Sequence, residues 1–177
     1  MTFRDRNHQH KIIELESIWN SLSRLSTFAH AHGIEDIFQD NGAKVLQQLI
    51  YLNFTIIPGR EGHDARSEDN REWEMKSINL ETSATGFSTN HHTTHDIINN
   101  YRNARWSFAI YRGITLEEIY VMSPQTLEPI FQQWEEQLAT GRDHLNNPKI
   151  SVTFVRENGV KVFPFDENNP FDPQDID

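Results

Sequence analysis

Asp64, Glu74 and Lys76 are the residues of this chain whose types and spacing could do chemistry. Glu74 and Lys76 lie two positions apart in 72–78, a predicted β-strand, so both side chains point to one face. Two carboxylates can bind a divalent cation, which polarises a phosphate and lowers the pKa of a bound water, while the ammonium offsets developing negative charge. One interpretation is therefore a metal-dependent hydrolytic site. The other is a surface ion pair on an edge strand, since this Glu-Lys spacing is common by chance.

The segment before Asp64 favours the first interpretation. An apolar run at 54–57 is typical of a short buried strand, and the Pro-Gly pair after it predicts a turn. The glycine-spaced loop that follows would deliver Asp64 beside the strand of Glu74 if the two strands pair, with 66–71 as the exposed connection. An aspartate followed ten positions later by Glu-x-Lys is typical of the Mg²⁺-dependent PD-(D/E)xK nucleases.

Composition limits the class of protein. A chain of 177 residues fits one domain, and a domain of this size buries about 70% of the surface of its unfolded chain. Since the chain has no cysteine, disulfides, thiolate zinc sites and a cysteine nucleophile are excluded. It has no apolar run of about 18 residues and no apolar signal-peptide segment near its start, so we expect a protein of the cytoplasm with no membrane contact.

The net charge of −10 counts against nonspecific nucleic-acid binding, because phosphate binding needs a basic surface. Five of the 26 acids lie in 164–177, a Pro- and Asp-rich tail without a basic residue that we expect to be disordered. The rest of the chain carries 21 acids and 16 bases, and some of those acids would bind metal. The acidity therefore does not exclude DNA binding.

Hydrophobic periodicity predicts an α/β (α+β) fold in which helices flank one mixed central sheet. Residues 1–163 would form a single domain, and the last two strands would form a hairpin across Asn158-Gly159. Thr93–Asp96 resembles a capping box, and Ser123-Pro124 is a typical helix start. The predicted helices are about 10–32, one from about 42, 95–101 and 124–138, and the predicted strands are 54–57, 72–78, 106–111, 118–122, 150–156 and 160–163.

A second group of polar side chains lies at 86–92. Histidine, asparagine and serine can contact base edges in the major groove, where each good bidentate contact discriminates by about 1–3 kcal/mol. A zinc site of His91, His92 and His95 is the alternative, although adjacent histidines on a strand point to opposite faces. A solvated loop is the third possibility. The pair Asn146-Asn147 is likewise either a turn or a reader of adenine.

With these segments the chain resembles the PvuII family of type II restriction endonucleases, homodimeric members of the PD-(D/E)xK superfamily. The resemblance runs almost without gaps from Gly33 to about Phe163, and several matching segments have no structural reason to recur. The helix at about 10–32 resembles the family's N-terminal dimerisation helix more loosely, and the tail 164–177 is an addition of this chain. The matching segments are DIFQDNG (36–42), PGREG (58–62), KSIN (76–79), GFST (86–89), FAIYRG (108–113) and NNPKI (146–150).

The resemblance implies roles for individual residues. Asp64 and Glu74 would bind Mg²⁺, and Lys76 would position or activate the attacking water. Around the same site lie two further matches, Glu61 and Tyr101. DNA contacts would come from Asp40, a residue of the DNA-facing cleft. Further contacts would come from the segments that read the major groove, namely Ser88, Asn90, His91, His92, Asn146 and Asn147. The family has a histidine where this chain has Asn90, and one residue is inserted within 80–85. Because both departures flank the recognition segment, this chain would differ from the family in its preference for the DNA sequence around the target.

The resemblance implies a type II restriction endonuclease that uses Mg²⁺ to hydrolyse both strands of duplex DNA at the palindrome CAGCTG, leaving blunt ends. One chain holds one such site, so a double-strand break needs a two-fold homodimer whose symmetry matches the palindrome. A bacterial cytoplasmic location and a partner methyltransferase are also implied. Two alternatives stay open: a structure-specific or repair nuclease of the same fold, and a non-catalytic DNA- or metal-binding module.

Overall fold

The computed structural model describes residues 6–34, 36–38, 41–59, 62–165 and 176. The chain divides into two compact units, Met1–Gln47 and Gln48–Asp177. Most of the acidic tail lies outside the described residues, so its expected disorder stays a prediction. None of the helices within these ranges combines the length and the apolar character that crossing a bilayer requires.

The first unit is helical. Helix α1 (Arg6–Ala31) confirms the predicted N-terminal helix, and Gly33, with φ of 80°, takes the left-handed conformation that ends it. Helix α2 (Gly42–Leu52) begins at the predicted position and crosses the boundary between the units. A Cβ atom at Gly42 would collide with the carbonyl oxygen of Asp36, so glycine is required where the chain turns into this helix.

Strands of the second unit form two sheets. The strands are β1 (Thr55–Ile56), β2 (Ala65–Arg66), β3 (Glu72–Asn79), β4 (Gly86–Ser88), β5 (Arg105–Arg112), β6 (Thr115–Met122), β7 (Lys149–Ser151) and β8 (Val160–Phe163). Six of them form a mixed sheet in the order β1-β2-β3-β5-β6-β8, in which only β3 and β5 are parallel. The other two, β4 and β7, pair antiparallel. The expected α+β fold with a mixed central sheet is thereby confirmed.

Two helices of the second unit begin where the sequence predicts. Helix α3 (His95–Tyr101) is capped by Thr94, whose Oγ1 accepts a hydrogen bond from the Ile97 amide at 3.4 Å. Helix α4 (Pro124–Leu138) is capped by Ser123, with proline at its first position. Both starts depend on local hydrogen bonds, which is why sequence reading finds them.

One face of the main sheet carries an aromatic core. Trp106 and Phe108 of β5 are fully buried and pack with Phe131 of α4. The parallel register pairs Glu74 with Trp106, so the side chains of Glu74 and Lys76 project from this same face. On the opposite face, Ser107 Oγ donates to Gln48 Oε1 at 2.9 Å, a fully buried hydrogen bond. The candidate catalytic residues therefore lie at the margin of the core.

The predicted hairpin of 150–156 with 160–163 is wrong. Residues 152–158 form helix α5 (Val152–Asn158), and β8 pairs with β6 instead. Ser151 Oγ accepts from the Phe154 amide at 3.0 Å and starts the helix, which buries Val155 in the core. A Cβ atom at Gly159 would lie 2.7 Å from the Val155 carbonyl oxygen, so this glycine ends the helix rather than forming a hairpin turn. Packing outweighs the strand propensity of the β-branched run.

The aromatic core predicts a large stability effect at Phe131. The substitution Phe131→Ala should lower the free energy of unfolding by about 3–5 kcal/mol, because it leaves a cavity among buried rings. Urea unfolding at a fixed protein concentration measures this. Ile114→Ala is the control, since Ile114 is 90% exposed and its loss should change stability by less than about 0.5 kcal/mol. Equal effects of the two substitutions would contradict this account of the core.

Candidate active site

Asp64 is held by backbone hydrogen bonds on both sides. Its amide donates to the Trp73 carbonyl at 3.0 Å, and its carbonyl accepts from the Ile57 amide at 3.0 Å. The expected pairing of the strand at 54–57 with the strand of Glu74 is indirect, because β2 lies between them. The sequence does not predict the short strand β2. Its first residue directly follows Asp64, and its second lies in 66–71, which is predicted to be an exposed connection. The predicted placement of Asp64 beside the Glu74 strand holds.

Short hydrogen bonds hold the side chains of the three candidate catalytic residues in place. Asp64 Oδ2 accepts from the Met75 amide at 2.7 Å, and Lys76 Nζ donates to Glu74 Oε1 at 2.6 Å. The side chains of Glu74 and Lys76 are only 7% and 15% exposed, and β3 lies inside the sheet. The alternative interpretation, a surface ion pair on an edge strand, is therefore wrong.

His63 is a site residue that the sequence reading missed. Its side chain is 2% exposed, and its Nδ1 lies 3.3 Å from Glu74 Oε2. Because an ionised carboxylate only accepts hydrogen bonds, His63 Nδ1 must carry the proton. In the sequence the only signal is a histidine directly before Asp64, and that gives no indication of burial.

The two acids have opposite pKa shifts. Burial raises the pKa of Asp64, and the charge of Glu74 raises it further against the lowering effects of Lys76 and the Met75 amide. Burial also raises the pKa of Glu74, but hydrogen bonds from His63 and Lys76 outweigh it and leave that pKa below its ordinary value. Such divergence between neighbouring carboxyls is typical of functional sites.

Lys76 keeps its proton despite being buried. Burial lowers the pKa of its ammonium, but the charges of Glu74 and Asp64 reverse this and raise the pKa above the ordinary value. The ammonium lies 5.8 Å from the ring centroid of Trp106. At neutral pH the group is therefore a fixed positive charge and a hydrogen-bond donor.

Tyr101, one of the two further residues that the resemblance places around this site, lies close enough for the charges of the candidate catalytic residues to act on it. Burial raises the pKa of its phenol to about 12, and the charges of Lys76, Glu74 and Asp64 all act on it. Its hydroxyl oxygen accepts a hydrogen bond from the Asn90 amide at 3.4 Å. Tyr101 is thus a protonated phenol between the candidate catalytic residues and the predicted recognition segment. Glu61 lies outside the described residues, as does Asp40.

The predicted DNA-reading residues lie together in the structure. The pairing of β4 with β7 continues as hydrogen bonds from Thr89 to the Pro148 carbonyl, at 3.2 Å from the amide and 2.8 Å from Oγ1. The amide and carbonyl of Thr93 also pair with those of Leu145. These bonds bring two segments side by side, and they carry Ser88, Asn90, His91, His92, Asn146 and Asn147.

A second histidine missed from the sequence belongs to this group. The ring of His144 packs edge-on against His92, with centroids 4.3 Å apart. Within the described part of the chain no three histidine or acidic side chains are placed to hold a metal ion. The zinc alternative for His91, His92 and His95 is therefore not supported.

The fit of Asp64 and Glu74 to a metal depends on which ion is considered. A structural zinc takes four protein ligands, which the described residues do not provide. Mg²⁺ is bound by one or two carboxylates together with waters and substrate phosphates. A divalent cation would also offset the repulsion that contributes to the raised pKa of Asp64. The donor set therefore fits Mg²⁺.

Comparison with known families identifies a match over most of the chain. A family model described as restriction endonuclease PvuII matches residues 10–163 of this 177-residue chain. The match contains the candidate catalytic residues and both predicted reading segments. It ends with β8, at the start of the acidic tail.

The electrostatics of the site predict the effect of removing the ammonium. In Lys76→Met the pKa values of Glu74 and Asp64 should both rise, because each carboxylate loses a neighbouring positive charge. Carboxyl-carbon NMR titration of each residue measures this. Lys161→Met is the control, since Lys161 pairs with the distant Glu118 at 3.0 Å. Unchanged pKa values in Lys76→Met would contradict the assigned contacts.

The sign of the effect on stability follows from the direction of the shift. A carboxyl whose pKa is lower in the folded state, such as Glu74, contributes stability above its unfolded pKa, and this is lost as the pH falls through the folded value. The Lys76→Met variant should lose the part of that contribution that Lys76 supplies, whereas the part from the His63 hydrogen bond should remain. Asp64 has the opposite sign, which is why the titration must resolve the two residues.

Proposed function

This chain belongs to the PvuII restriction endonuclease family and is a type II site-specific deoxyribonuclease, and we propose that it uses Mg²⁺ to cut both strands at CAGCTG, leaving blunt ends. The observation that supports the proposal most is the buried group of Asp64, Glu74 and Lys76, with the small sheet that carries the predicted base readers beside it. Asp64 and Glu74 would hold the ion, which when bound polarises the scissile phosphate and lowers the pKa of the attacking water.

Lys76 would act as a charged donor in this reaction. Its raised pKa keeps the ammonium protonated at neutral pH, so it would position the water or a phosphate oxygen rather than accept a proton. Its 15% exposure strengthens the interaction, because a site shielded from water screens charge poorly. The protonated phenol of Tyr101 would donate to the same phosphate region. Glu61 is proposed beside the site from the family pattern alone.

Recognition would come from the two-stranded sheet and its loops. His91, His92 and Asn146 are exposed or partly exposed donors and acceptors, and Ser88 and Asn90 lie beside them. Asn147 Oδ1 is buried and has no hydrogen-bond partner among the described residues. An unsatisfied acceptor costs about 1–3 kcal/mol, which a base amino group could offset if the loop opens onto DNA. Asp40 is proposed as a further DNA contact from the family pattern.

A homodimer would supply the second site. Helix α1 carries large apolar side chains that are exposed in a single chain. Ile13 is 63% exposed, Ile18 51% and Phe28 47%. Burying them against a second copy would make the two-fold axis that a palindromic target requires. We place the enzyme in the bacterial cytoplasm, paired with a methyltransferase that protects the same sequence in the host genome.

A plasmid assay tests the activity. With Mg²⁺ the protein should give discrete fragments whose sequenced ends are blunt and central to CAGCTG, and a chelator should abolish them. Lys76→Ala should lower the cleavage rate by about 10²–10³-fold while DNA is still bound, because a charged donor to the reacting centre is lost. Lys161→Ala, an exposed lysine elsewhere, should cut normally. Nicking of branched DNA with CAGCTG left intact would contradict the proposed target. Family membership speaks against both the structure-specific nuclease and the non-catalytic module.

The recognition sheet predicts a separate effect on specificity. Asn147→Ala should reduce the discrimination against a changed adenine in the target by about 1–3 kcal/mol. Competition between target and single-substituted duplexes measures it. Asn103→Ala, an exposed asparagine at the end of α3, is the control and should leave discrimination unchanged. Loss of affinity for all duplexes equally would contradict a role in base reading.

A further inference from the structure

His63 has no part in the reaction as described above, yet it is buried and its ring contacts Glu74, a proposed ion ligand. Its side chain is 2% exposed, and it directly precedes Asp64. Gly62 on its other side has φ of 97°, so the backbone turns sharply as it enters this position. The histidine is therefore held inside the protein next to the catalytic residues.

The contacts of His63 complete a clamp on one carboxylate. Lys76 Nζ holds Glu74 Oε1 at 2.6 Å, and His63 Nδ1 holds Oε2 of the same group at 3.3 Å. The terminal torsion of a glutamate side chain is intrinsically broad, so an unclamped carboxylate would rotate. Two donors on its two oxygens restrict this rotation. The orientation of Glu74 in the structure thus depends on His63 as well as on Lys76.

We propose that His63 is a positioning residue that orients Glu74 for binding of the divalent ion, an inference that rests on the proposed Mg²⁺ site. It acts through Glu74 and does not contact the substrate. Carboxylates that bind metals are themselves held by hydrogen-bond donors, and loss of such a donor weakens metal affinity or activity by about 10- to 100-fold. The other ring nitrogen, Nε2, lies 4.0 Å from Glu72 Oε2, so the ring also has an acidic residue on its far side.

Two substitutions separate the hydrogen bond from the bulk of the side chain. His63→Asn keeps a donor, because the amide nitrogen of asparagine occupies the position of histidine Nδ1. His63→Leu keeps apolar volume but has no donor, and His63→Ala removes both. If His63 orients Glu74, His63→Leu and His63→Ala should weaken ion binding by about 10- to 100-fold, and His63→Asn should stay close to the wild type.

The measurement is calorimetric titration of Mg²⁺ and Ca²⁺ into the DNA-free protein, with the thermal unfolding midpoint of each variant as a check on folding. Cleavage by His63→Leu should recover as the Mg²⁺ concentration is raised, because the change lies in ion occupancy rather than in the chemical step. Packing alone would not produce a shifted Mg²⁺ dependence that asparagine rescues.

Asp64→Asn is measured beside these variants to separate the two proposals. If Asp64→Asn weakens ion binding and His63→Leu does not, the positioning role is wrong and the ion site stands. If His63→Asn, folded as the wild type, loses as much affinity as His63→Leu, the donor is not what matters and the role is again wrong. Unchanged binding in Asp64→Asn would place the ion elsewhere and overturn both proposals.

Discussion

The parallel pairing of β3 with β5 is the constraint on which the candidate site depends. Its register sets Glu74 opposite Trp106 and Lys76 opposite Phe108, so that charged side chains project from the face that builds the aromatic core. Buried charged groups are stable there only with partners, and Glu74 is paired with the Lys76 ammonium while Asp64 accepts a hydrogen bond from the Met75 amide. Fold and proposed chemistry are linked because the charged groups at the margin of the core are the ones that the proposed reaction would use.

The same constraint explains the electrostatics. Near the core, water screens charge weakly, so small differences in hydrogen bonding separate two carboxyls that the sequence treats alike. Glu74 has two side-chain donors and a lowered pKa, whereas Asp64 has one backbone donor and a raised pKa. The asymmetry belongs to the protein itself, and a divalent cation would enter a site already divided into a stronger and a weaker acid.

Sequence reading succeeds where the determining interactions are local. The cap of α3 at Thr94 and that of α4 at Ser123 are set by contacts within a few residues. The two-residue alternation along β3 likewise predicts that Glu74 and Lys76 share one face of the strand. It fails at residues 152–158, where burial of Val155 and the cap at Ser151 outweigh strand propensity. It also misses His63, because that role requires a partner eleven positions away whose closeness only the folded sheet creates. Asp40 and Glu61 stay predictions.

The hydrogen bond from Asn90 to Tyr101 joins the predicted recognition segment to the candidate active site. The donor is the backbone amide, so the bond is indifferent to the side chain at this position. Every amino acid except proline supplies it. Position 90 can therefore carry asparagine in place of the histidine expected from the resemblance while the hydrogen bond to Tyr101 persists. Variation is permitted at this position because the link to Tyr101 is made by the main chain.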